Sequence, residues 1–273
     1  SHLQLCLYCS ISVLSTKIHR MSVRTFVKGS TFWIRIENAK RANSVTEKMW
    51  DDMCRGLDQA NNDPHTTFTA ITGEGDFYSA SNDFSPANWN TKKAASKDVE
   101  TGPFRMGRRL IDHDKILLGL VNGPAWGIAA TTLGLMDYVV CSDTAYFQTP
   151  FCILGVTPEG GSSISFPEIM GTSRANGLLL FNERLEAAEA LQCGFVGKVF
   201  PKADFERLTT EMIDGFEKLP RHSLLASKSL IRGDAWKRKM RGAYETEMDT
   251  IRTIFGTEIT QKMIGDKFDK KKK

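Results

Sequence analysis

Ile116-Leu117-Leu118-Gly119-Leu120-Val121-Asn122-Gly123-Pro124-Ala125-Trp126-Gly127-Ile128-Ala129-Ala130 is the stretch that sets the fold class. Its first six residues form an unbroken apolar run of strand length, as expected for a strand covered on both faces. Asn122-Gly123-Pro124 breaks the chain, and the small residues from Gly127 to Leu135 predict a helix packed close to its neighbours. Tyr138 to Cys141 reads as the next strand. Strand, break, helix and strand in that order predict an α/β protein.

Upstream, two β-rich runs between Val23 and Ile36 flank Lys28-Gly29-Ser30 and predict a hairpin. Ser44 and Glu47 have the spacing of a capping box, so a helix is expected to start at Ser44. Val45, Met49, Met53, Leu57 and Ala60 then share one helical face, and Asn61-Asn62-Asp63-Pro64 ends it. Thr66 to Thr72 predicts a strand, and Gly73-Glu74-Gly75-Asp76 turns the chain. Ser85 to Thr101 is polar and lacks periodicity, which predicts a mobile loop before a helix ending near Asp114. Beyond Pro201 the pattern is helical. Phe205, Leu208, Met212, Phe216 and Leu219 mark one helix. Trp236, Met240, Tyr244, Met248, Ile251, Phe255 and Ile259 mark a single long one, whose apolar stripe needs a partner in the core or in another subunit.

The organisation read from these breaks is a leader at 1–20, an α/β core at 21–201 and a helical region at 202–273. The leader holds Lys17, His19 and Arg20 and no acid; the first carboxylate is Glu37. This resembles a mitochondrial transit peptide, and Met21 reads equally well as a start.

Composition narrows the function classes. The 273 residues are enough to bury a large core, and 41% hydrophobic with 25% charged residues is ordinary globular usage. A net charge of +4, part of it in Lys270 to Lys273, leaves no basic stripe for nucleic acid. No apolar run approaches the ~20 residues needed to span a bilayer. Cys6 and Cys9 form a C-x-x-C without a second pair, so no metal site is expected; the other cysteines read as buried thiols. His65, His113 and His222 lack ligand spacing and read as surface residues.

Three segments carry residues suited to chemistry. Phe77-Tyr78-Ser79-Ala80-Ser81-Asn82-Asp83 follows a strand and turn with side chains small enough for a ligand to approach the backbone. Val121 to Ala130 ends a strand and starts a helix, where free N–H groups favour an anion. Phe151-Cys152-Ile153-Leu154-Gly155-Val156-Thr157-Pro158-Glu159-Gly160-Gly161 sets a lone carboxylate between an apolar run and a glycine pair. Each is also ordinary turn composition, and Glu159 alone fits an early helix residue facing the dipole. Gly73-Glu74-Gly75 lacks the third glycine of a dinucleotide fingerprint, and Ser162 and Ser163 lack a nucleophile elbow.

Taken together, Asn122-Gly123-Pro124-Ala125 to Asp137, and Gln148-Thr149-Pro150-Phe151 to Thr157-Pro158-Glu159-Gly160, resemble the crotonase (enoyl-CoA hydratase/isomerase) superfamily. The resemblance is greatest to its Δ3,Δ2-enoyl-CoA isomerase branch and runs from about Val23 to at least Arg232. It implies a spiral of β-β-α units with a C-terminal helical trimerisation region, hence a homotrimer or dimer of trimers. It implies an acyl-CoA thioester substrate and no separate cofactor, because CoA arrives on the substrate. By the same resemblance, Glu159 is the catalytic base, and the N–H groups of Asn82 and Ile128 form an oxyanion hole. Ser79, Ala80, Ser81, Asn82 and Asp83 line the CoA side, with Asp83 bracing the loop, Arg41 near the phosphates and Phe151 in the pocket. Thr131 and Phe151 stand where the hydratase branch has glutamates, which argues against hydration. Ser81 stands where the family has glycine, a strained exchange if φ is positive. The implied role is β-oxidation of unsaturated acyl chains in the mitochondrial matrix or the peroxisome, with the matrix favoured if residues 1–20 are native. Hydrolysis or decarboxylation of an acyl-CoA, or a non-catalytic acyl-CoA scaffold, are the alternatives.

Overall fold

The structure, a computed structural model, describes residues 22–85, 88 and 90–269. The expectations for residues 1–20, including Cys6 and Cys9, and for Lys270 to Lys273 lie outside the described residues. β1 (Ser22–Lys28) and β2 (Thr31–Glu37) form the hairpin, turning on Gly29 at φ 60°. α1 (Glu47–Asn62) crosses back, and β3 (Phe68–Gly73) pairs parallel to β2. The capping box is a correction. Thr46 is the N-cap, its Oγ1 accepting the Met49 N–H at 3.3 Å, because Val45 is still held extended against Asn82. The polar stretch is a second correction: it carries α2 (Thr91–Ala95), whose Ala94 is buried in the core. α3 (Gly102–Asp112) follows.

The chain then repeats one unit. β4 (Ile116–Val121) pairs with β3, and β5 (Ala125–Trp126) turns off into a smaller sheet before α4 (Ile128–Thr131) and a 3-10 turn (Thr132–Leu135). β6 (Tyr138–Ser142) pairs with β4, β7 (Tyr146–Gln148) pairs with β5, and α5 (Phe151–Leu154) follows. Earlier in the chain, an isolated bridge from Ser79 to Ala125 puts the segment after β3 in the same relation. Each β-β-α unit therefore gives one strand to each sheet and advances by one position, which is a spiral. Its consequence is functional: the segments after Ser79, after β5 and after β7 are stacked side by side.

α6 (Ser162–Met170), α7 (Thr172–Leu179), β8 (Arg184–Glu186), α8 (Ala187–Gln192) and β9 (Lys198–Phe200) complete this part. The larger sheet runs β1-β2-β3-β4-β6-β9 and the smaller β5-β7-β8.

The rest is helical: α9 (Phe205–Phe216), α10 (Arg221–Ile231), α11 (Asp234–Phe255) and α12 (Glu258–Asp269). The expected single long helix is two, broken at Gly256 and Thr257. Phe205 and Ile213 of α9 pack with Phe68, Leu118 and Val140 on one face of the large sheet. Tyr244, Met248, Ile251 and Phe255 of α11 enter the main core, so the apolar stripe of α11 is covered within the chain itself.

Two side-chain expectations are corrected. His113 is buried, its Nε2 within 2.8 Å of Thr69 Oγ1; burial and then the nearby Lys228 push it down to about 3, so it is neutral. Its place at the end of α3, against Thr69 of β3, puts it inside. Cys54 and Cys141 are buried, but Cys152 is exposed and Cys193 half-buried.

Candidate active site

A cavity of about 770 Å³ opens where the three stacked segments meet α11. Buried Phe104, Phe151, Leu154, Ile251 and Phe255 form its apolar wall, and exposed Lys40 and Arg41 lie on its border. α11 thus contributes to the cavity as well as to the core.

Glu159 lines this cavity and is 7% exposed. Gly160 and Gly161, at φ 73° and 77°, make the tight turn that ends it; a side chain at either position would be strained. α6 starts only at Ser162, so Glu159 is not a helix residue facing a dipole. That place is taken by Glu247 of α11. Its Oε2 accepts the Gly161 N–H at 2.6 Å and its Oε1 accepts the Ser163 N–H at 2.8 Å. Among the described residues the Glu159 carboxylate accepts no hydrogen bond; only its carbonyl is used, by the Ser162 hydroxyl at 2.7 Å. Burial, and secondarily repulsion from Glu247, push its carboxyl up from 4.5 to about 8. Buried Phe151 shares the cavity wall with Glu159, whereas Ile153 is 47% exposed.

The Ser79 to Asp83 segment is pinned at each residue. The Ser79 hydroxyl donates to the Asn43 carbonyl at 2.7 Å; Ser79 is fully buried and does not border the cavity. The Ala80 N–H donates to the Ala42 carbonyl at 2.8 Å. The Asn82 side chain accepts the Trp50 indole N–H at 2.8 Å, while no acceptor among the described residues takes its main-chain N–H. Asp83 accepts the Ser85 N–H, the Asn88 amide and the Arg41 guanidinium, so it braces the loop and draws Arg41 to the border. Ser81 does have φ 73°. Ile128 is fully buried at the start of α4, and its N–H donates to the Ser81 hydroxyl at 3.2 Å.

Thr131 is fully buried, its hydroxyl turned back to the Ile128 carbonyl at 3.3 Å, and it packs beneath Gly160. Phe151 presents a ring to the cavity. Of the two carboxylates on the cavity wall, Asp83 is occupied by three donors and Glu159 is free to exchange a proton. Among the described residues no cluster of His, Cys, Asp and Glu has the geometry to hold a metal ion.

Glu247 and Lys40 were not singled out from the sequence. Glu247 lies 86 residues from Gly161, in a helix whose regular apolar stripe draws attention to its other faces.

The enoyl-CoA hydratase/isomerase family model matches residues 27–272. Enoyl-CoA delta isomerase 2 of Rattus norvegicus is 39% identical over 234 residues, covering 85% of this chain and 59% of that protein. Enoyl-CoA delta isomerase 3, peroxisomal, of Mus musculus is 37% identical over 203 residues, covering 73% and 63%. The chain therefore spans under two thirds of the length of these two isomerases. An uncharacterized Caenorhabditis elegans protein is 34% identical over 248 residues, covering 90% of this chain and 96% of its own length. In structure, the enoyl-CoA hydratase/isomerase of Pseudoalteromonas atlantica superposes with a TM-score of 0.83 at 24% identity, covering 91% of this chain and 97% of that one.

Proposed function

The chain belongs to the enoyl-CoA hydratase/isomerase family, and from that premise we propose that it is a Δ3,Δ2-enoyl-CoA isomerase working through Glu159. One observation carries the reading: a single free carboxylate, raised to about 8, on the wall of a largely apolar cavity; the resemblance adds that Thr131 and Phe151 stand where the hydratase branch has glutamates. Moving a double bond from C3 to C2 requires one proton removed from C2 and one delivered to C4. Glu159 takes the first, the electron pair moves onto the thioester oxygen as a dienolate, and the protonated Glu159 returns the proton at C4. The carboxylate is regenerated, so one residue serves both steps. The Asn82 N–H, which no acceptor among the described residues takes, helps to hold the dienolate oxygen. The apolar wall takes the acyl chain. Lys40 and Arg41 suit the phosphates of CoA, Arg41 sharing its charge with Asp83.

The acid–base role has a pH signature. The base acts ionised, and its carboxyl is raised to about 8, so kcat/KM should rise with pH and level off above about 8. A profile that is flat or falling between about pH 6 and 9 would remove Glu159 from the proton transfer.

Exposed Leu180 (46%), Phe181 (71%), Leu230 (87%) and Ile231 (73%) suit burial against further copies in a trimer or a pair of trimers. Light scattering should therefore give a multiple of three times 30.5 kDa, and a stable monomer would contradict it. The location proposed is peroxisome or mitochondrion; the name of the mouse relative supports the former.

A further inference from the structure

Ser81 interrupts the simplest form of the oxyanion hole. An N–H group carries one hydrogen, and that of Ile128 is already given to the Ser81 Oγ at 3.2 Å. Ile128 is fully buried and does not border the cavity, whereas Ser81 does. Resting on the isomerase reading above, we propose that the Ser81 hydroxyl supplies the second oxyanion donor, relaying the Ile128 N–H to the thioester oxygen.

The geometry supports this in three ways. A hydroxyl that accepts an N–H keeps its own hydrogen to give, and among the described residues that hydrogen has no acceptor. The N–H behind it polarises the hydroxyl and makes it a better donor. The main chain of Ser81 is also fixed: its N–H donates to Ser79 Oγ at 3.1 Å, and its carbonyl accepts the Val45 N–H at 2.8 Å. A serine at φ 73° costs on the order of 1 kcal/mol or more relative to glycine, and these bonds hold it there.

The hole then consists of two adjacent residues, the Asn82 N–H and the Ser81 O–H. The thioester oxygen sits about 2.7 Å from Ser81 Oγ, displaced from Ile128 by one hydroxyl. No proton is transferred: the serine donates a hydrogen bond and remains neutral.

The test compares Ser81→Ala with Ser81→Gly. The alanine keeps the Cβ and the backbone strain but removes the donor, so kcat on a 3-enoyl-CoA should fall by roughly 10²-fold with KM little changed. Both variants free the Ile128 N–H, but the glycine also relaxes φ and leaves no Cβ in front of it, so it should fall between alanine and wild type. A second readout needs no turnover. Acetoacetyl-CoA bound in a working hole should show its enolate absorbance, strong with wild type and weak with Ser81→Ala. A glycine variant faster than wild type would show that the hydroxyl is a plug, and would overturn the proposal. So would an alanine variant with normal kcat and enolate band, or a wild type that shows no band. Loss of the band in Ser81→Ala from a wild type that isomerises no 3-enoyl-CoA would sink the isomerase reading and leave this one standing.

Discussion

Glu159→Gln should slow isomerisation of a 3-enoyl-CoA by roughly 10² to 10⁴-fold, the usual worth of a positioned general base. Glutamine keeps the size and polarity of the side chain, so the turn at Gly160 and Gly161 is undisturbed. Binding of a CoA ester should change little, because the proposed thioester donors and the cationic border belong to other residues. The same substitution has an opposite effect on stability. The wild-type carboxyl is near 8 when folded against an ordinary 4.5, so below about 4.5 it is neutral in both states. Its stabilising uptake of a proton is lost as pH rises through 8, where the folded protein must hold a buried charge. The glutamine has no such dependence. The Tm of the variant relative to wild type should therefore be higher at about pH 9 than at about pH 5. A variant with near-normal turnover, or a Tm difference independent of pH, would contradict the role given to the carboxylate.

Glu247→Ala should be the most damaging substitution outside the cavity. Glu247 is 6% exposed and satisfies two main-chain N–H groups at the start of α6. Removing it orphans the buried Gly161 N–H, at about 1–3 kcal/mol, whereas the N–H of exposed Ser163 can turn to water at a smaller cost. Unfolding free energy should fall by about 1–4 kcal/mol on that basis, read by denaturant titration. Catalysis should suffer as well, because those N–H groups flank the turn that aims Glu159. Glu247→Gln is the informative partner: its amide has one acceptor oxygen, so one N–H is lost and the fold is weakened less. It also removes a negative charge that raises the Glu159 carboxyl, so the rise of kcat/KM with pH should move to lower pH. A Gln variant with unchanged stability and pH profile would reduce Glu247 to a bystander.

Much of the fold was legible where the signal was local. The hairpin rests on one turn and two β-rich runs, and β4 on one unbroken apolar run; both appear within a residue of the expected limits. Glu159, Asn82 and Ser81 were singled out because they stand in recognisable motifs, and the spiral brings all three to one cavity. What was missed depends on distant contacts. β7, β8 and β9 have three residues each, too few for a period to show. The start of α1 was misplaced because the bridge from Val45 to Asn82 keeps the chain extended past Ser44. His113 looked external because its helix face is polar, yet it is buried against Thr69 of β3. Glu247 is the most instructive case. A carboxylate in a charged helix carries no local mark that it caps another helix 86 residues away. The apolar face of α11 was likewise read as wanting a partner, and its partner is the core of the same chain. For Ser81 the sequence located the strain, but only the structure shows that its hydroxyl lies on the Ile128 N–H.

With Glu159 as the sole proton shuttle, the protein should move a double bond and fail to add water. The measurement gives the wild-type protein 3-enoyl-CoA and trans-2-enoyl-CoA of the same chain length and follows both by absorbance. The 3-enoyl ester should convert rapidly to the 2-enoyl ester, with hydration of the 2-enoyl ester slower by orders of magnitude, because Thr131 and Phe151 offer no second carboxylate. Efficient hydration, or no turnover of the 3-enoyl ester, would contradict this.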